Sequence, residues 1–358
     1  MYAIPDYIKV SLGRSHSVSG RLLASVNGSP FTYPVKLDSG EVTVDSRSPI
    51  RRKLNAVIQA KITDPECDTF VTEIRAEYGI TPQGQVTFWI PVGTFVVTDA
   101  EEVAPGKVSI KGEDRWRRIV NARFLQPVST SGLHRTAIIN LLHDADPRIE
   151  ATDYTGSTAT HRTSVHDRDR DKAVLELAKT IGADVYMNVM GNAEIRIPKT
   201  LADDPVLTIS GLDGGTLIDA KRSTKQGNTY NAVVVEGENS SGDVSVRAVL
   251  KVTSSSSKLL FGGAFAQRPR FFRSTMISTY TQAQDVAKTL LAKVTGISQT
   301  VSIEAFPLAM LEGGDPVLIE VEEGRMEKHI VDAFNIPLSL GKMTLSTRTP
   351  YDDDLEGE

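Results

Sequence analysis

The chain has 358 residues, 40% hydrophobic and 24% charged, enough for about two domains, or one elaborate one, with a real core. Its net charge of -5 argues against a dedicated nucleic-acid binder, and no apolar run approaches the ~18 residues of a membrane-spanning helix. One cysteine, Cys67, leaves no internal disulfide and no zinc site of its own. The opening MYAIPDYIKV lacks the basic-then-apolar pattern of a secretory signal, so folding in a cytoplasm is expected.

The first stretch reads as strands. Tyr7–Leu12 and Arg21–Val26 are short apolar or alternating runs, and Asn27-Gly28 is a turn before Phe31–Leu37, because Asn and Gly tolerate φ > 0. In Gly40–Ala60 (GEVTVDSRSPIRRKLNAVIQA), Val42 and Val44 alternate with polar neighbours, Pro49 interrupts, and Leu54, Ala56 and Ile58 alternate again. This predicts two strands joined by a basic corner, Arg51-Arg52-Lys53. Residues 61–87 read as polar loop with one edge strand. Phe88–Ala100 is aromatic and β-branched, hence strongly β, and Pro105-Gly106 turns the chain into Lys107–Lys111. Asp114 either caps a short helix through Ile119 or opens an extended arm. Thr136–His143 predicts an amphipathic helix with Ile138, Ile139, Leu141 and Leu142 on one side.

Residues 150–170 read as polar loop. Asp171–Ile181 is the clearest helix: Val174, Leu175, Leu177, Ala178 and Ile181 share one face and Gly182 stands at its C-cap. Asp184–Ile197 predicts a hairpin turning at Gly191-Asn192, and strands return after Asp213-Gly214-Gly215. Asn231–Gly237 and Val244–Val252 predict a hairpin around Asn239–Gly242, followed by a flexible serine run, Ser254–Ser257. A helix is expected over Ser278–Val294, capped by Ser278 or Thr281, with Val286, Ala287, Leu290, Leu291 and Val294 as its apolar face. Four strands then close the chain: Gln299–Ala305, Pro316–Val321, His329–Pro337 and Lys342–Arg348. No fixed period recurs, and the helices are too few for a doubly wound sheet. The fold class is α+β, mostly β.

No constellation reads as catalytic. Asp167, Asp169 and Asp171 alternate as in a calcium loop, but Lys172 and Ala178 stand where such a loop needs Gly and Glu, and two arginines interleave. The stretch reads instead as a solvated loop ending in a helix cap. The pairs Glu312/Asp315 and Asp203/Asp204 sit beside Gly or Pro in turns, where acids are expected to be wet, not poised as a glycosidase pair. No nucleophile elbow, zincin, phosphate-loop or dinucleotide motif occurs. Cys67, beside Glu66 and Asp68, is a poor nucleophile. The expectation is therefore a non-enzymatic chain without cofactor or metal.

Contacts between subunits are the better use for the remaining features. The basic clusters Arg51-Arg52-Lys53 and Arg115-Trp116-Arg117-Arg118 read as surface ion pairs or inter-subunit contacts rather than phosphate sites. Phe261–Phe272 (FGGAFAQRPRFF) has the aromatic and arginine content of interface cores, or is a loop tucked under its own barrel. The residues assigned to inter-subunit contact are Arg51, Arg52, Lys53, Phe265, Arg268, Phe271 and Phe272. Residues 1–60 carry 8 Lys/Arg against 4 Asp/Glu, whereas 301–358 carry 4 against 13. Such an asymmetry suits solubility, or docking of one end of a subunit on the opposite end of the next, as rings require.

Five segments, in order, resemble a family of actinobacteriophage minor tail proteins, within the class of phage tail hub or baseplate hub-like proteins. They are GEVTVDSRSPIRRKLNAVIQA, the strand pair PVGTFVVTDA…KVSIKGEDR, DKAVLELAKTIGADVYMNVMGNAEIRI, RSTKQGNTYNAVVVEGE, and the block from Ser278 to Arg348. Residues 261–272 and the acidic end YDDDLEGE match nothing in that family. The resemblance implies two small β-barrel domains, 1–130 and 216–350 (with helix 280–294). They flank a helix-hairpin insert at 131–215; the acidic end at 351–358 reads, from its charge, as a solvated and disordered tail. The resemblance further implies a homotrimer whose six barrels form a ring between a sixfold tail tube and a threefold tip. The partners would be a distal tail protein, the tape-measure protein and other minor tail or fibre proteins. DNA would pass through an acidic lumen, without membrane insertion. A tail-tip cell-wall hydrolase and a carbohydrate-binding receptor module are the alternatives.

Overall fold

In a computed structural model the described residues are 1–212, 214–224, 229–238, 243–295, 299–322 and 324–348. The predicted turn at Asn239–Gly242, Asp213 and the acidic tail lie outside them.

The first element is a helix, α1 (Asp6–Leu12), where a strand was expected. Its apolar residues repeat every four positions: Ile4, Ile8 and Leu12 are buried while Tyr7 and Val10 face solvent. That is a helical stripe, and Pro5 is extended at its start, as proline allows. Seven strands follow: β1 (His16–Val26), β2 (Tyr33–Val35), β3 (Leu37–Asp45), β4 (Arg52–Ile58), β5 (Thr72–Pro82), β6 (Phe88–Ala104) and β7 (Lys107–Asp114). Asn27 (φ 52) and Gly28 (φ 76) make the expected left-handed turn between β1 and β2. The corner before β4 is Ser46–Ile50, so Arg52 and Lys53 lie inside the strand. β5 is no edge strand: it pairs with β1 on one side and β6 on the other. Its polar look comes from Glu73 and Glu77, whose carboxylates are engaged by Arg115 and Arg21.

A middle module follows: α2 (Trp116–Asn121), β8 (Val128–Leu133), α3 (His134–Ala145), β9 (Ala151–Asp153), β10 (Thr160–His166), α4 (Arg170–Lys179), β11 (Asp184–Met187) and β12 (Ala193–Arg196). The Asp114 carboxylate accepts from the Trp116 amide at 3.0 Å, which starts α2 rather than an extended arm. Residues 150–170 hold two strands instead of a loop. β9 pairs in parallel with β12 and β10 antiparallel with β8. Ile138, Leu141, Leu142, Val174, Leu177, Val185 and Ile195 form this module's own core.

β13 (Thr208–Ile209) and β14 (Leu217–Thr224) return to the large sheet. A third unit then interrupts it: β15 (Ala232–Glu238), β16 (Val244–Lys251), β17 (Pro269–Ser274) and helix α5 (Tyr280–Thr295), sharing a core of Val233, Val235, Leu250, Val286 and Leu291. α5 is capped by Thr279, not by Ser278 or Thr281. The Gln282 amide reaches Thr279 Oγ1 at 3.3 Å, and the Thr279 amide donates back to Gln282 Oε1 at 3.2 Å, a reciprocal capping box. The serine run is an ordered turn, with the Leu259 amide on Ser257 Oγ at 3.0 Å. The chain closes with β18 (Gln299–Ala305), β19 (Pro316–Glu322), β20 (Arg325–Pro337) and β21 (Met343–Arg348).

The two ends of the chain share one sheet. Its strand path is β14-β18-β21-β20-β3-β4-β7-β6-β5-β1-β2, with β19 branching from β20. The seam is β20 against β3, from Ala333↔Asp45 to Pro337↔Glu41. The path has two ends, so among the described residues no barrel closes, and one hydrophobic core runs through both halves. The fold is mostly β with α, as expected. Three clusters of buried residues hold the chain, the first drawing on both of its ends.

Candidate functional site

The basic corner is buried, not exposed. Arg52 has 1% of its surface accessible and Arg51 8%. Arg52 donates to the Met187 carbonyl at 2.8 Å, pairs with Glu312, and its amide donates to Asp114 Oδ2 at 2.9 Å. Arg51 pairs with Asp184 at 3.3 Å and stacks 4.0 Å from the Tyr186 ring centre. Next to them Arg115 and Arg118 both engage Glu73, at 2.8 and 3.0 Å, and Arg115 also reaches the Gly191 carbonyl. Thr94 donates to the Val189 carbonyl at 3.1 Å. These side chains tie the large sheet to the β11–β12 hairpin of the middle module. Burial pushes the Asp114 carboxyl up to about 6, against the hydrogen bonds and charge supplied by Arg52. Only Lys53 faces outward, 3.3 Å from Glu113. A guanidinium costs too much to desolvate unless paired, and both Arg51 and Arg52 are paired within the chain.

The opposite charges of the two ends also meet inside one molecule. Besides Arg52–Glu312, the α-amine of Met1 lies 2.8 Å from Asp315, and Lys199 holds the other oxygen of Asp315 at 2.7 Å. Asp315 is 2% accessible, so the Glu312/Asp315 pair is not the wet turn expected; both acids are clamped by cations. Asp203 accepts from the Thr200 amide at 2.7 Å. Asp169 precedes α4 and pairs with Lys172, while Asp167 pairs with Arg168. The Cys67 thiol is buried, and burial, more than its acidic neighbours, pushes it up to about 11.

The Phe261–Phe272 stretch lies at the rim of the third unit. β17 pairs in parallel with β15 and forms one edge of the three-stranded sheet β16-β15-β17. Successive side chains of a strand face opposite ways: Phe272 packs onto the core of this unit, whereas Phe271 is 61% exposed. Phe265 lies beneath Arg268, 5.2 Å from guanidinium to ring centre, and Arg270 is 5.9 Å from the Tyr230 ring. Arg273 bridges Glu236 at 2.8 Å and Glu238 at 3.0 Å. The loop before β17 is held by a residue the sequence analysis missed. Asn231, fully buried, donates to the Ala266 carbonyl at 2.8 Å and accepts from the Arg268 amide at 2.8 Å. It fixes Ala266 at φ 62, a conformation costly for a residue with a Cβ. Its signal was an amide side chain directly before a strand, a weak one. Of the seven assigned residues, the structure brings Arg51, Arg52 and Lys53 to the central joint. Phe265, Arg268, Phe271 and Phe272 gather on this rim.

No protein-family model and no curated protein matches the sequence. Solved structures do match the fold over nearly its whole length. A tail protein from Neisseria meningitidis MC58 is 15% identical with a TM-score of 0.65, covering 94% of this chain and 97% of that one. The 43 kDa tail protein of prophage MuSo2 from Shewanella oneidensis is 12% identical with a TM-score of 0.59, covering 92% and 98%. Prophage tail protein gp18 from Listeria monocytogenes EGD-e is 11% identical with a TM-score of 0.57, covering 93% and 95%. The fold of this chain is therefore similar to that of these three tail proteins.

Proposed function

We propose that the chain is a structural tail-tip hub of a phage, of the actinobacteriophage minor tail type. It assembles as a homotrimer that joins a sixfold tail tube to a threefold tip. The observation that carries this reading is the match over nearly the whole chain to three tail proteins. The two halves of the sheet, β3–β7 with β1 and β14 with β18–β21, act as two β modules per chain. Three chains then supply six around a hollow axis. The ring encloses the passage for DNA and tape-measure protein, and binds the distal tail protein on one side and other minor tail or fibre proteins on the other.

The reading is non-enzymatic: Glu312 is paired with the buried Arg52, and the buried Asp315 with Lys199 and the α-amine of Met1. The Phe271 side of β17 is the contact between subunits. An exposed aromatic on an unpaired sheet edge, flanked by arginines, fits the core of an interface better than solvent. Light scattering of the purified protein tests this. The expected mass is three times that of the 38.9 kDa chain; a monomer at every concentration rejects it.

A further inference from the structure

One element is built unlike the rest. β8 and β10 form an isolated two-stranded ribbon, and such ribbons need an apolar face to be stable. Here the inner face is made of histidines. His161 and His166 on β10 and His134 at the start of α3 are 5%, 7% and 0% accessible. Thr130 Oγ1 on β8 sits 3.0 Å from His161 Nε2 and 2.8 Å from His166 Nε2. The rings of His134 and His161 lie 4.7 Å apart.

The hydrogen bonds are compatible with neutral rings. His134 Nδ1 lies 3.1 Å from the Ala159 carbonyl; a carbonyl only accepts, so this nitrogen carries a proton, and in the neutral ring Nε2 is bare. That Nε2 and His161 Nδ1 have no partner among the described residues. Thr130 has one hydroxyl proton, so at least one of its two histidines donates to it. A further proton on His134 would therefore create a buried N–H⁺ with no hydrogen-bond partner among the described residues, whereas the backbone of Gly132 and Thr130 partly offsets the burial of His161. A second would stand within a few ångströms of the first.

The surroundings offer little compensation. From α4, Arg170 is buried with its guanidinium on the Ala122 and Leu141 carbonyls and Asp144, 4.5 Å from the Phe124 ring that stacks on His166. It adds positive charge. Glu176, also on α4, is the one acid whose charge favours His166 protonation, and its Oε1 accepts from Ser274. On α3, Asp144 serves Arg170, and His143 and Arg135 are exposed. Beyond the ribbon, Arg123 and Lys172 share Asp169, and Asp167 pairs with Arg168.

We infer that the β8–β10 ribbon is a pH-operated latch, closed while its three histidines are neutral and released from α3 when they take up protons. The inference rests on the ribbon's own packing and not on the tail reading. Burial lowers the proton affinity of all three rings below that of an exposed histidine. The closed state is therefore at full strength above the ordinary histidine range, near pH 6.5. It is lost progressively as pH falls below that, because the open state binds more protons.

Hydrogen exchange of the full chain between pH 7.5 and 5.0, corrected for intrinsic rates, tests it. Amides of 128–133 and 160–166 are expected to lose protection by about tenfold or more, while β4, β5, β6 and β7 lose none. The variant His134→Gln/His161→Gln/His166→Gln keeps polar side chains that do not titrate, and its ribbon protection is expected to be independent of pH. Unchanged protection in the wild type overturns the inference, as does an equal loss across β4–β7. Should the triple variant fail to fold, Thr130→Val, which removes the shared hydroxyl, is expected to lower ribbon protection at pH 7.5 at least threefold. No change there also overturns it.

Discussion

Two regions of this molecule have the same chemistry and opposite fates. The joint around Arg51, Arg52, Arg115 and Arg118 and the rim around Phe265, Arg268, Arg270 and Phe271 both combine arginines with aromatic rings. At the joint, acids converge from four places far apart in sequence, Glu73, Asp114, Asp184 and Glu312, and the arginines are buried among them. At the rim, the acids that face Arg273, Glu236 and Glu238, come from one strand, and Phe271 stays in solvent. Arginine and aromatics alone do not mark a contact surface. What decides is whether tertiary structure delivers enough carboxylates and carbonyls to take them inside. The joint holds the chain together; the rim is where the proposed contact with another chain lies.

The contrast can be broken first at the joint. Arg52→Ala leaves Glu312 and the Met187 carbonyl without their cation, and the unfolding free energy is expected to fall by about 3–5 kcal/mol, measured by urea denaturation. A loss below about 1 kcal/mol would put Arg52 among surface ion pairs. Glu73→Gln strips one acid from two arginines. A smaller loss, about 2–3 kcal/mol, is expected, with strong coupling to Arg115→Ala and Arg118→Ala in a double-mutant cycle.

Titration sharpens the same comparison. The Asp114 carboxyl is raised in the folded state to about 6 from 3.8. The sign follows from linkage: the native state holds its proton more tightly, so its contribution to stability is fully present below about pH 4 and is lost as pH rises through about 6. Asp114→Asn is expected to remove that part of the stability–pH curve, whatever the substitution does to stability at a single pH. A curve that keeps its slope between pH 4 and 6 in the variant assigns the proton to another group. The smallest effect on the folded chain belongs to the rim. Phe271→Ser is expected to change unfolding free energy by no more than about 0.5 kcal/mol. It should nonetheless shift the trimer–monomer equilibrium toward monomer in sedimentation.

Much of the secondary structure was legible because it is written locally. The alternation at Val42, Val44, Leu54, Ala56 and Ile58, the Asn27-Gly28 turn, and the stripe from Val174 to Leu177 each appear where expected, whereas α4 stops at Lys179 with Thr180 as its C-cap, and Gly182 (φ 68) follows two residues later. α1 was misread because seven residues fit either period, and only Ile4, outside the run, shows that the stripe is helical. β10 was missed because its buried face carries histidine and serine rather than aliphatic residues. The burial of Arg51 and Arg52 was not legible at all. It depends on Asp184 and Glu312, over a hundred positions away in the sequence, and local pattern carries no such pairing. The single open sheet has the same cause, since its seam, β20 on β3, joins residues nearly three hundred positions apart.

The central claim concerns how copies of this chain sit together. Single-particle electron microscopy of the purified oligomer measures it directly. The account expects three chains about a hollow axis, with the β3–β7 and β18–β21 halves alternating as six units and β17 at the contact between chains. A twofold particle, or one without an axial opening, would contradict it.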